Sequence, residues 1–320
     1  MDLTISVACT DILDLTCDVL VLKYAQAFYG ADALVASVLT PNRLETISPR
    51  PGKHTLLASQ GKLNASEVLF LGVLPLHQFD YGQIREFSAY ALQVLAREAP
   101  NAKHVAMTMH GVGYGLDERE SFLSQLAGIF DALNANIAQP SLKRITFVER
   151  NHGRASRLQE ILDEQLQMET VTGERKELAT ASPPSRIANA GLRSNEKPHI
   201  FVAMPFNEEL EDVYIFGIQG PINSAGYLCE RVDMAIFTGD ILSRIKTRIE
   251  TATLIVADLT GSNPNVYLEV GYAWGKDRPT LLLVKKSEEL KFDVRGQRCI
   301  VYKNIADLAQ KLEADLSALR

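Results

Sequence analysis

"ADLTGSNPNVYLEVGYAWG", residues Ala257 to Gly275, changes character twice. It opens as the tail of the apolar run "TLIVADLT", turns through Gly261, Ser262, Asn263 and Pro264, and continues through "NVYLEVGYA". A short continuous apolar run bounded by turn residues reads as a strand covered on both faces. Asn263 is placed to cap a helix, and Pro264 suits its first turn, where a missing N–H costs no hydrogen bond. Strand, turn and capped helix form the recurring half of a βαβ unit. Glu269 is the one acid on that helix, among Val, Tyr, Leu and Ala, and falls in line with Asn265 four residues earlier.

The same alternation extends on both sides. "HIFVAMPF" (His199–Phe206), "YLCERVD" (Tyr227–Asp233) and "TLLLVKK" (Thr280–Lys286) read as further strands. "EELEDVYIFGIQGPINSAG" reads as a helix disturbed near Gly220-Pro221, and "IADLAQKLEADLSALR" as the last helix. "DILSRIKTRIETA" places Ile241, Ile245 and Ile249 on one stripe, with Asp240 as N-cap. A β-α-β-α-β-α-β-α order implies a small open parallel sheet with helices on both faces, flavodoxin-like or Rossmann-like. Ligands of such sheets sit outside the carboxyl ends of the strands. Met204, Phe206, Asp233 and Asp258 all fall at strand ends, so one mouth is expected to gather them.

The first half is also α/β. Leu3, Ile5 and Val7 alternate as in a strand, and "DVLVLKY", "KHTLLAS", "ASEVLFLGV", "HVAMTM" and "RITFVER" follow as strand candidates. "DYGQIREFSAYALQVLARE" and "ERESFLSQLAGIFDALNA" carry apolar residues at helical spacing, whereas "GADALVASVL" fits either helix or strand. After a helix at "ASRLQEILDEQLQME", residues 170–197 are polar and punctuated by Pro, Gly and Ser, with Pro183-Pro184 opposing a continuous helix. The expected division is an α/β domain over 1–150, a helix and linker over 151–197, and a second α/β domain over 198–320.

The length of 320 residues suits two domains, and 46% apolar with 22% charged residues is a soluble globular composition. A net charge of -6 argues against a general nucleic-acid or anionic-membrane binder. No window has the roughly 18 apolar residues of a membrane span, and "MDLTISVACTD" lacks a signal pattern. Cys9, Cys17, Cys229 and Cys299 show no CxxC spacing and read as free thiols of a cytoplasmic protein. The six histidines show no HxH or HExxH spacing, so no metal is expected. His110 is notable only for its place beside a glycine-rich turn, Trp274 reads as core, and Arg298 as a surface ion pair or a phosphate contact.

Two carboxylates at one pocket, Glu269 and Asp258, suit chemistry at a sugar anomeric carbon, where positive charge develops on the ring. A solvated Glu269 with Asp258 capping a turn fits the same pattern, and both readings stand at this point.

The segment from about His199 to Tyr302 resembles the nucleoside 2-deoxyribosyltransferase-like and TIR-like superfamily. "FVAMPF", "RVD" before a Thr-Gly-Asp turn, "ADLTGSNPNVYLEVGYA" and "KFDVRGQRCIVY" carry the resemblance. It implies that Glu269, with Gly271 and Ala273 completing an E-x-G-x-A pattern, acts as acid or nucleophile at C1′. It also implies that Asp258 helps hold sugar or base and that Met204 and Phe206 contact the nucleobase. Asp233, at its strand end, and Asn263 and Asn265, beside the glutamate, are expected to complete substrate binding, the two asparagines at the ribose hydroxyls. Transferases of the family carry Gly-Thr or Ser-x-Gly before the glutamate where this chain has "GSNPNVYL", which leaves N-glycosidic cleavage as the shared chemistry.

"HGVGYGLDERESF" (His110–Phe122) sets Gly111, Gly113 and Gly115 before a helix, a turn that can offer backbone N–H groups to an anion. It is neither G-x-G-x-x-G nor a P-loop, Asp117 and Glu118 would repel a close phosphate, and a plain tight turn fits equally. With "CDVLVLKYAQAFYGADALV" this loop gives the first half a resemblance to macrodomains and the N-terminal domain of leucine aminopeptidases. That resemblance implies an ADP-ribose-type ligand acting as regulator, or a degenerate fold used for assembly.

Together these resemblances imply a cytoplasmic homo-oligomeric enzyme, without metal or cofactor, that breaks the N-glycosidic bond of a nucleoside, nucleotide or NAD. The pairing resembles bacterial antiphage conflict-system effectors. TIR-type NAD hydrolysis and a non-catalytic nucleotide sensor or scaffold are the alternatives.

Overall fold

The computed structural model describes residues 3–40, 44–166, 185–205, 207–232, 241–285, 294 and 296–318. Phe206, Asp233 and the Asp240 cap lie outside the described residues, as does the Pro183-Pro184 step. The chain divides into two compact units, the first Met1–Gly111 with Arg119–Asn195, the second Val112–Glu118 with Glu196–Arg320.

The first unit is a six-stranded sheet of β1 (Thr4–Cys9), β2 (Cys17–Tyr24), β3 (His54–Ala58), β4 (Ala65–Gly72), β5 (His104–Thr108) and β6 (Arg144–Glu149). The order is β1-β6-β5-β2-β4-β3, and β3 alone pairs antiparallel. Val19 to Leu22 of β2 and Val68 to Leu71 of β4 are fully buried, which is why these strands read as continuous apolar runs. The helices are α1 (Gly30–Leu39), α2 (Tyr81–Glu98), α3 (Glu118–Asn134), α4 (His152–Leu166) and α5 (Ser185–Asn189). The ambiguous "GADALVASVL" is thus a helix. Asp80 caps α2 by accepting a hydrogen bond from the Gln83 amide at 3.0 Å.

Residues 185–195, which composition reads as linker, pack in this unit. Ile187, Ala190 and Ser194 are buried. Arg85 of α2 donates to the Ala188 and Ala190 carbonyls at 2.8 and 2.7 Å and grips Asp131 of α3 through two further bonds. One guanidinium thereby satisfies carbonyls that the end of a short helix leaves without partners. The fork shape of the guanidinium makes that possible, and composition carries no trace of it.

The second unit is a five-stranded, all-parallel sheet ordered β11-β10-β9-β7-β8. Its strands are β7 (His199–Ala203), β8 (Leu228–Glu230), β9 (Leu254–Asp258), β10 (Thr280–Val284) and β11 (Cys299–Val301). The helices are α6 (Gly220–Ser224), α7 (Ile241–Thr251), α8 (Pro264–Gly275) and α9 (Ile305–Ser317). Side chains alternate between two cores. Ile200, Val202, Val256 and Leu283 meet Leu308, Leu312 and Leu316 of α9 on one face. Phe201, Ala203, Ile255 and Leu282 meet Ile245 and Ile249 of α7 and Val266, Val270 and Ala273 of α8 on the other. The sheet has one strand more than the four-strand order predicts: β11, three residues of "RCIVY", is too short to show a period.

The disturbed helix resolves into a 3-10 turn (Glu208–Leu210), a π-helical stretch (Val213–Gln219) and α6. Pro221 has no N–H to close an α-helical bond, which favours local widening. Gly217 lies where a Cβ would sit 2.8 Å from Leu308 Cδ2, so α9 packs directly on this stretch. Among the described residues no helix is long and apolar enough to cross a membrane.

A Cβ at Gly128 of α3 would collide with the backbone carbonyl of Arg85. Gly128→Ala is therefore expected to lower stability by about 1–3 kcal/mol, read as a reduced thermal or urea midpoint, although alanine is the better helix former.

Candidate functional site

In the second unit the connections leave β7 toward β8 on one side and toward β9, β10 and β11 on the other. The switch point lies between β7 and β9, and the crevice outside their carboxyl ends is where such sheets bind ligands. Met204-Pro205 follows β7, Arg231-Val232 follows β8, Asp258–Asn263 closes β9, Lys285 follows β10 and Tyr302 follows β11.

Asp258 ends β9 and is completely buried. Its Oδ1 accepts from the Thr260 amide at 2.9 Å, and its Oδ2 accepts from the Tyr302 hydroxyl at 2.9 Å. Thr260 Oγ1 accepts from the Lys285 amide at 2.9 Å and lies 3.3 Å from the Tyr302 hydroxyl. Asp258 and Thr260 together thus tie the ends of β9, β10 and β11 to one another. Gly261 (φ 74°) and Ser262 (φ 52°) follow in left-handed conformation. A glycine is favoured at the first, while the second holds a residue type that rarely adopts it. Asn263 then caps α8 as expected, its Oδ1 accepting from the Asn265 amide at 2.9 Å.

Glu269 is half-buried on the flank of α8, while Asn265 is exposed. Burial alone pushes the Glu269 carboxyl up from 4.5 to about 7. Among the described residues nothing hydrogen-bonds or pairs with it. Such a group exchanges a proton near neutrality, as a general acid or base does.

Met204 is buried rather than open, and its sulfur lies 3.7 Å from Arg231 Nη1. The Arg231 guanidinium also donates to Glu211 at 2.9 Å and stacks 3.6 Å over the Tyr214 ring. Arg231, Tyr302 and Thr260 are mouth residues that pattern reading passed over. Their signal was a polar residue just past an apolar strand.

Gly111, Gly113 and Gly115 all have positive φ, 95°, 79° and 79°. Val112–Glu118 belongs to the second unit, where it lines the edge beside β8. Tyr114 bridges antiparallel to Val232, the Gly115 amide donates to the Arg231 carbonyl at 3.1 Å, and Arg244 Nε donates to the Tyr114 carbonyl at 3.0 Å. Asp117 accepts from the Cys229 amide at 3.0 Å. A Cβ at Gly115 would lie 2.9 Å from Val232 Cγ2, so glycine permits the close approach. The Gly115 amide therefore faces a carbonyl, not an anion. In the first unit His110 is buried against the edges of Phe79 and Phe87, which pushes its imidazole pKa well below the ordinary value. Beside it Lys23 and Asp32 form a buried ion pair at 2.6 Å.

Arg298 pairs with Asp315 at 2.6 Å, the surface ion pair of the two readings. The four cysteines are free, and burial pushes the Cys17 thiol up to about 12 and Cys299 up to about 11. Among the described residues no group of three or more His, Cys, Asp or Glu side chains is arranged to hold a metal.

No protein-family model matches the chain, and no curated protein matches it. Among solved structures the chain is similar to the Oceanobacillus iheyensis macrodomain with ADP, at 16% identity over 51% of this chain and 92% of that one, with a TM-score of 0.41. It is also similar to the Trypanosoma brucei macrodomain in complex with ADP-ribose, at 17% identity over 49% of this chain and 68% of that one, with a TM-score of 0.41.

The raised Glu269 carboxyl has a defined consequence for stability. The folded state favours its neutral form, so its contribution is most favourable below about pH 4.5, the unfolded value, and is lost as pH rises through about 7. Glu269→Gln should therefore stabilise the protein at pH 8 by up to about 3 kcal/mol and hardly at all at pH 4.5, measured by urea unfolding at both pH values.

Proposed function

We propose that the second unit cleaves the N-glycosidic bond of a nucleoside, nucleotide or NAD, with Glu269 acting at C1′. The observation that carries this reading is the Glu269 carboxyl itself: half-buried, without a partner among the described residues, held near pKa 7, and carried by the helix that rises from the switch-point turn. In its ionised form it attacks C1′. The C1′–N bond breaks, its electron pair passes to the base nitrogen, and an ester joins Glu269 to the sugar. Water then attacks C1′ and the ester bond breaks, regenerating the carboxylate, while the proton of the water passes to the departed base, or to solvent where the base leaves neutral as nicotinamide does. Asn263 and Asn265 are assigned to the ribose hydroxyls. Phe206 keeps the base-binding role that the family resemblance implies, and Asp233 the substrate-binding role that its strand-end place in the sequence suggests. For the first unit, its resemblance to macrodomains supports a nucleotide-type regulator, and family resemblance also supports a homo-oligomer.

One observation favours a second reading, a nucleotide sensor that binds without turnover. Asp258 is sealed by Thr260 and Tyr302, so it does not offer the second open carboxylate that paired-acid chemistry uses.

Mass spectrometry of nucleosides, nucleotides and NAD incubated with wild type and Glu269→Gln separates the two. The glycosidase reading expects a free base or nicotinamide from wild type and a fall of about 10²-fold or more in the variant, with melting not lowered. Thermal shift with one compound and release from none would favour the sensor.

A further inference from the structure

We propose that Tyr302 is a positioning residue for Glu269, holding Asp258 and the turn that starts α8 in one arrangement. The proposal rests on reading Glu269 as the working carboxyl. Tyr302 lies just past β11 and is buried, its amide donating to the Val284 carbonyl at 3.0 Å. From there its hydroxyl reaches across β10 to donate to Asp258 at the end of β9. Burying a carboxylate completely is unfavourable unless its oxygens are hydrogen-bonded, so the Tyr302 hydroxyl is one of the groups that makes Asp258 tolerable in its place.

What Asp258 holds is the lead into α8. Its other oxygen fixes the Thr260 amide, and Thr260 Oγ1 is fixed in turn by the Lys285 amide. Only Gly261, Ser262 and the cap Asn263 separate this anchor from Pro264, the first helical residue. Two successive left-handed residues persist where the surroundings over-determine them. The direction in which α8 leaves the turn decides where Glu269 stands on its flank. Loosening the strap is thus transmitted along one short, stiff path to the carboxyl.

The test uses the full-length chain and Tyr302→Phe, which removes only the hydroxyl, with Thr260→Val as a second variant that loosens the same strap. Carbon-13 NMR of glutamate-labelled protein reads the Glu269 titration, its resonance identified by its loss in Glu269→Gln. The wild-type midpoint is expected near the value set by burial, about 7. In Tyr302→Phe it is expected to move toward the ordinary 4.5 as the site hydrates. Where a substrate is in hand, kcat should fall about 10- to 100-fold with KM little changed, as for a misplaced reacting group. Variants that melt lower while midpoint and kcat stay at wild-type values would overturn the proposal, because a purely structural strap does that. If Glu269→Gln leaves base release untouched, the glycosidase reading fails, and the titration still decides whether Tyr302 positions the carboxyl.

Discussion

In a parallel sheet every strand delivers its carboxyl end to the same edge, and the next helix must start there. The second unit follows from that constraint. Five strand ends and the beginning of α8 are brought to one rim, and the polar residues found there cannot all face water. Asp258, Thr260, Tyr302 and the Lys285 amide solve the problem among themselves, while Arg231 solves it with Glu211, Tyr214 and Met204. Glu269 stands a turn and a half along α8, outside both groups, and burial alone raises its carboxyl pKa.

The same economy of polar groups holds in both units. Arg85 serves an aspartate and two carbonyls at once, and Lys23 neutralises Asp32 inside the first core. In the second unit Glu230 sits buried with Arg248 at 3.2 Å and His199 at 3.6 Å. Each of these would be costly to break one partner at a time. They make the two cores specific rather than merely apolar.

Much of the architecture was legible because the signals were local. β9 and α8 announced themselves through an apolar run, a capping asparagine and a first-turn proline, and all three act where they were read. What stayed hidden depended on distance. β11 has three residues, too few for periodicity. Residues 185–195 are polar, and their packing comes from an arginine about a hundred residues earlier. The glycines of 111–115 look alike whether their amides meet an anion or a carbonyl. Glu269 was visible as a lone acid on an apolar helix, but the sealing of Asp258 was not, since its partner Tyr302 lies 44 residues away.

The stretch Val112–Glu118 is bonded within the second unit yet lies in the chain between two parts of the first. Its partner Arg244 follows Tyr114 by 130 residues. On a ribosome adding roughly 5–20 residues each second, that is a delay of about ten seconds. Through that interval β8 and α7, whose residues bond Gly115 and Tyr114 in the finished fold, have yet to emerge. Birth order and final order are thus interleaved, because this stretch is made between two parts of the first unit and bonded in the second.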